Sequence, residues 1–200
     1  MWAEAEILKN IVVDTARIEH LGNSILLKER DPKAVLCNIY IENVSKDGIT
    51  LKADCHAESF FKRNYGNRRC DFIILSSMEN NRVALFIDMK STSLSEVDVV
   101  EGFPHDLGKG YPSYVHQLRS SSCFFDFLHI VMKEFCSCTE LSKYTKKEHR
   151  FFVVLHTKDM SAINRPVLRT RPRNNNTPEA ALILHVENND HIDFNRLVLL

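Results

Sequence analysis

The sequence predicts a single α/β domain. Three bounded apolar runs have strand length, residues 70–76, 82–90 and 150–156, and between the second and third Tyr114, Leu118, Phe125, Leu128 and Met132 recur near helical period. The chain has 200 residues, 44% of them hydrophobic, enough for one core without disulfide or metal staples. No internal repeat divides it.

The remaining elements follow in order. Residues 2–20 place Ile7, Leu8, Ile11, Val12 and Ile18 among charges at roughly helical spacing, predicting an amphipathic helix stopped by Gly22 and Asn23. In residues 34–54, Cys37, Ile39 and Ile41 alternate with polar residues, then a Lys46-Asp47-Gly48 turn leads to a second short strand, which reads as a hairpin. Residues 55–65 fit either a helix or an irregular crossover. Gly102, Pro104, Gly108, Gly110 and Pro112 make a loop, and the helix from Tyr114 to Phe135 packs on the sheet. Pro166, Pro172, Pro178 and the run Asn174 to Asn176 predict a long surface loop over 157–179, and the segments around "ENND" predict a closing hairpin over 180–200.

Lys and Arg number 26, as do Asp and Glu, so the chain as a whole is not a basic surface for a polyanion, and any such partner must meet a local patch. The six cysteines lack the spacing of a zinc set and are expected to be free and buried. His56, His116 and His129 do not pair at metal spacing either. No leader pattern opens the chain, and no apolar run nears the ~20 residues that span a bilayer. The expectation is a soluble cytoplasmic protein with no membrane partner.

The first two strands carry charge where a buried strand would exclude it. With a turn centred on Glu79 and Asn80, antiparallel pairing sets Asp71 directly opposite Asp88, and opposed residues share a face. Lys90, two residues beyond Asp88, shares that face too. Opposed carboxylates repel unless a cation lies between them, and oxygen donors suit Mg²⁺ or Mn²⁺. Lys90 would then stabilise charge building on a phosphate. The plain alternative is an exposed strand face with an ion pair of roughly 0–1 kcal/mol; the continuous apolar neighbours "FII" and "VALFI" argue instead for strands covered on both faces.

"CDFII" followed by "FIDMK" resembles the PD-(D/E)xK nuclease superfamily, over roughly residues 54–156. The pattern is most similar to small bacterial members found in phage-defence or mobile-element settings. The resemblance implies a restriction-endonuclease-like αβββαβ core, a central mixed sheet flanked by helices, here within about 34–156, and a Mg²⁺- or Mn²⁺-dependent nuclease with DNA expected ahead of RNA. It implies Asp71 and Asp88 as metal ligands, Lys90 as electrostatic partner and Gln117 of "YVHQLRSS" facing the site. The family's acid on the first helix would be Glu58, with Asp54 competing; Glu58 could equally pair with Lys62 at i, i+4. Gln117 could equally be a polar residue on a solvated helix face. Cys70 replaces the name-giving Pro, and Asp88 replaces the commoner Glu.

Lys62, Arg63, Arg68 and Arg69 precede Asp71 and are the candidate nucleic-acid contacts; Arg165, Arg169, Arg171 and Arg173 form a second cluster. Runs of this kind are usually solvated surface. Two other functional readings remain beside the nuclease: a non-catalytic module of the same fold gripping nucleic acid or a protein partner, and a resolvase of branched DNA, which would require a dimer.

Overall fold

The computed structural model describes residues 17–29, 34–54, 69–78, 81–90, 113–137, 144, 146–157 and 173–199. Its centre is a six-stranded mixed sheet in the order β1 (Arg17–Ile18), β5 (Ile49–Lys52), β6 (Phe72–Met78), β7 (Asn81–Lys90), β8 (Arg150–His156), β9 (Leu182–His185). Pairing is antiparallel from β1 to β7 and parallel from β7 to β9. A second sheet runs in the order β10 (His191–Asp193), β4 (Asn38–Glu42), β3 (Ser24–Lys28), β2 (His20–Leu21). The helices are α1 (Ser113–Cys136) and the short α2 (Phe194–Leu197).

The α/β class and the three central strands agree with the apolar runs, because each run is buried on both faces. Ile73, Leu75, Phe86, Phe152 and Val154 pack with Leu118, Phe125 and Met132 of α1. Phe72, Ile74, Leu85, Ile87 and Val153 turn the other way, onto Ile25, Leu27, Ile39 and Ile41 of the second sheet. Among the described residues a helix covers one face of the central mixed sheet and a four-stranded sheet covers the other. Arg150, buried at the start of β8, ties α1 to the sheet by pairing with Asp126 and donating to Ser122 Oγ at 2.7 Å.

Three local expectations are corrected. Arg17–Ile18 and His20–Leu21 are strands rather than the end of a helix, and residues 2–16 lie outside the described part. Gly22 and Asn23 are the two-residue turn joining β2 to β3, where Gly22 takes φ +71°, a conformation open to glycine. The predicted strands of 34–54 form, yet β4 pairs with β3 and β10 while β5 pairs with β1 and β6, so they are not a hairpin. Gly48 lets the chain pass close to β6, since a Cβ there would stand 2.9 Å from the Leu75 carbonyl oxygen. The closing hairpin fails for the same reason as the first: β9 joins β8 in parallel and β10 joins β4 in parallel.

Within the predicted surface loop, Asn175 is fully buried. Its Nδ2 donates to the carbonyls of Phe152 (3.0 Å) and Leu197 (2.8 Å), and its Oδ1 accepts from Leu199 N at 2.9 Å. One side chain thus satisfies backbone groups of β8 and of the C-terminal segment. Truncation strands these groups in the interior, at about 1–3 kcal/mol per unsatisfied group. Asn175→Ala is expected to cost about 3 kcal/mol in urea unfolding; a loss under about 1 kcal/mol would show the bonds to be dispensable.

Of the described cysteines, Cys37, Cys70, Cys123 and Cys136 are free, as expected, but only Cys70 is buried. No described helix is long and apolar enough to cross a membrane.

Candidate functional site

Phe72 pairs with Ile87 at the open end of the β6–β7 ladder, and one further step in that register sets Asp71 opposite Asp88. The side chains of Asp88 and Lys90 share the face that carries α1, because they alternate with Ile87 and Met89, which pack toward the second sheet. The strand ends that carry Asp88 and Lys90 are carboxyl ends, and β8 and β9 finish beside them. In open α/β sheets this is where ligand crevices form.

Asp88 is wholly buried, and Lys90 Nζ lies 2.9 Å from its Oδ2. Its Oδ1 is also buried and has no hydrogen-bond donor among the described residues. Burial pushes the Asp88 carboxyl up to about 6, even with the Lys90 ammonium pulling it down. Asp71 is nearly buried and its Oδ2 accepts from Met89 N at 2.5 Å. Desolvation first, then the charge of Asp88, holds the Asp71 carboxyl well above the ordinary carboxylate range. Two desolvated carboxylates therefore share the Lys90 ammonium as a neighbouring charge.

Gln117 faces this centre. Its Oε1 accepts from Lys90 Nζ at 2.5 Å, and its Nε2 donates to the Arg69 carbonyl at 3.4 Å. It lies one turn before Ser121, whose hydroxyl donates to the Gln117 carbonyl (2.9 Å) and accepts from Cys70 N (2.7 Å). A proline at this position would lack the N–H that makes that last bond. The Cys70 thiol donates to the Phe72 carbonyl at 3.3 Å, and burial raises its pKa, so it stays a thiol and is inert.

Asp71 also belongs to a second group that sequence reasoning missed. One carboxylate oxygen each from Glu29, Asp54 and Asp71 lie within 4.8 Å of one another, and Asp88 stands outside that trio. Glu29 follows β3 of the second sheet, and Asp54 follows β5. Lys52 Nζ borders them, 3.7 Å from Asp54 and 3.9 Å from Glu29. Burial is the largest influence on Asp54 and raises its pKa against the pull of Lys52. Glu29 could be found only by knowing that β3 ends beside β5; its one local signal is its place just after the alternating segment Ser24–Lys28.

Asp71, Asp88, Lys90 and Gln117 are thus brought together, and Asp54 joins them. Glu58 lies outside the described residues, as do Lys62, Arg63, Arg68, Arg165, Arg169 and Arg171. Arg69 is described, and its guanidinium lies 4.3 Å from the Phe124 ring centroid on α1, a cation–π contact beside the centre.

The donors fit a hard divalent cation. They are oxygens only, they include a buried Asp88 oxygen with no donor, and the two central acids repel while ionised. The Asp88 oxygen without a donor lies outside the Glu29, Asp54 and Asp71 trio. No family model matches the chain, and neither a curated protein nor a solved structure gives a significant match.

Proposed function

We propose that the protein is a metal-dependent hydrolase of nucleic-acid phosphodiesters, with a restriction-endonuclease-like core formed by β5, β6, β7, α1 and β8. The observation that carries this reading is Asp88, buried against Lys90 near the carboxyl end of β7 and opposed in register by Asp71, which precedes the antiparallel β6. A structural ion pair would not need a second carboxylate facing it at a cost in desolvation.

In this reading Asp71 and Asp88 hold Mg²⁺ or Mn²⁺, with Asp54 and Glu29 at the outer edge. The cation, when bound, neutralises phosphoryl oxygens and makes water a stronger nucleophile. Lys90 donates to the oxygens on which charge grows as water attacks phosphorus and the bond to the leaving oxygen breaks. Gln117 positions Lys90 by accepting from its ammonium, so its part is to hold the amine rather than to touch the phosphate. Arg69, held over the Phe124 ring beside the centre, would contact an incoming strand in this reading, and DNA is the expected substrate.

Incubation with plasmid, linear and single-stranded DNA in Mg²⁺ or Mn²⁺ is expected to give cleavage by the wild type, and none above background by Asp88→Ala or Lys90→Ala. Cleavage that survives in both variants would overturn the assignment of the site. Absence of cleavage by every form, with binding retained, would leave a non-catalytic nucleic-acid module.

A further inference from the structure

Helix α1 leaves one side bare. Leu118, Phe125, Leu128 and Met132 pack in the core against the sheet, whereas Phe127, Ile130 and Phe135 point away from it and are 62%, 55% and 83% exposed. Cys123, Phe127, Val131 and Phe135 follow one another at four-residue spacing, and Ile130 stands beside them. On a helix such positions adjoin, so these side chains form one continuous apolar stripe. No charged side chain lies on the stripe between Cys123 and Val131, because Asp126, the acid within that span, is turned to Arg150. The outer face of a solvated helix is ordinarily polar and charged.

The exposed area is large enough to matter. Taking about 200 Å² for a bare aromatic side chain, Phe127, Ile130 and Phe135 together expose roughly 400 Å², an amount that on a monomer usually marks a contact site. Two such stripes face to face would remove roughly 800 Å² from water through these residues alone. The flanking Cys123, Phe124 and Val131 bring the total to the roughly 1,000 Å² that a specific protein interface needs. A membrane surface or a nucleic acid would call for cations along the stripe, and between Cys123 and Val131 it has none.

The stripe also suits itself, as a two-fold interface requires. With α1 antiparallel to a second α1 and the axis beside Phe127, positions roughly equidistant from Phe127 come together. Cys123 then lies beside Ile130 of the partner subunit, Phe124 beside Val131 of the partner subunit, and the two Phe127 rings meet at the axis. Glu134 comes to the level of Ser120 and Arg119 of the partner subunit; both Glu134 and Arg119 are partly exposed. Apolar groups thus face apolar groups through the middle, opposite charges meet at the ends, and antiparallel helix dipoles attract. We infer that the protein is a homodimer through this face of α1, with the two helices antiparallel about Phe127. The inference goes beyond the hydrolytic reading and does not depend on it.

Sedimentation velocity over about 1–100 μM, the range of ordinary dimer affinities, is compared among wild type, Phe127→Glu and Phe127→Leu, without metal or substrate. Wild type and Phe127→Leu are expected to reach the mass of two chains. Phe127→Glu is expected to weaken the dimer at least about 100-fold, since the substitution enters a two-fold interface twice. Phe127 is largely exposed in a single copy, so the variant should keep the circular dichroism of wild type and the melting temperature of dilute wild type. A wild type that stays monomeric to about 100 μM, or a Phe127→Glu dimer as tight as wild type, would overturn the inference. A monomeric wild type that Phe127→Glu destabilises would overturn it too, and would show the stripe covered by a segment of the same chain. A dimer that cleaves no nucleic acid would retain the inference and remove the hydrolase.

Discussion

Asp88→Asn is expected to melt at a higher temperature than wild type at pH 7.5 in chelator, while its Mg²⁺-dependent cleavage falls on the order of 1000-fold. Both effects come from one buried carboxylate. Folding raises its pKa from about 3.9, the unfolded value, to about 6, chiefly through desolvation. Between those values the folded protein holds more protons than the unfolded chain, so stability falls as pH rises through that window and the loss is complete above about 6. The raised Asp71 pKa acts in the same direction. An amide has no charge to desolvate, so the variant should lack the Asp88 part of this pH dependence. Metal should act in the opposite direction. A cation at 100 times its Kd adds about 2.7 kcal/mol, roughly 5–10 °C for a chain of this size, in wild type and not in Asp88→Asn. Melting curves with chelator and with Mn²⁺, at pH 5 and 7.5, give all four values. Equal Mn²⁺ shifts in both proteins would remove Asp88 from the ligand set.

Lys90→Ala is expected to destabilise the protein by about 3–5 kcal/mol at pH 7.5, the usual result of leaving one partner of a buried pair uncompensated. It takes away the only cation within ion-pair distance of Asp88 among the described residues. Below pH 6 the Asp88 carboxyl takes up a proton and needs no partner, so most of this loss should vanish at pH 5. Denaturant midpoints at the two pH values test it. A deficit of equal size at both would mean that Lys90 stabilises through packing of its methylenes and not through its charge. Cleavage should fall about 100-fold or more, as when a donor to developing charge is removed. Low pH cannot restore it, because protonated carboxyls do not hold a cation.

The parts of this architecture that the sequence made legible are those whose partners are near in the chain or whose burial is uniform. The β6–β7 register follows from a tight turn, and it places Asp71 and Asp88 with no knowledge of the rest. Helix α1 carries its own period over 24 residues, which brings Gln117 to the same end. Strands β4, β5, β9 and β10 were recognisable as strands, yet their partners were not, since strands of three to five residues carry no record of which sheet they join. Glu29 was illegible for that reason. Asn175 was read as solvated because asparagine favours turns, and what overrides that preference is a buried backbone in need of two acceptors' donors and one donor's acceptor.

The parallel joining of β10 to β4 also bears on the order in which the molecule matures. His191 sits opposite Tyr40, and its Nδ1 reaches Glu42 Oε1 across 149 positions of sequence. On the ribosome, β5, β6 and β7 emerge long before β10, so β4 waits with an open edge while the strands bearing the two central aspartates are already available to pair. The β10–β4 pairing completes the second sheet only after a loop of that length closes, and closure over such a separation is slow. A nascent chain therefore carries all the acids of the centre before the edge of its second sheet is covered, and that cover waits until translation has passed residue 193.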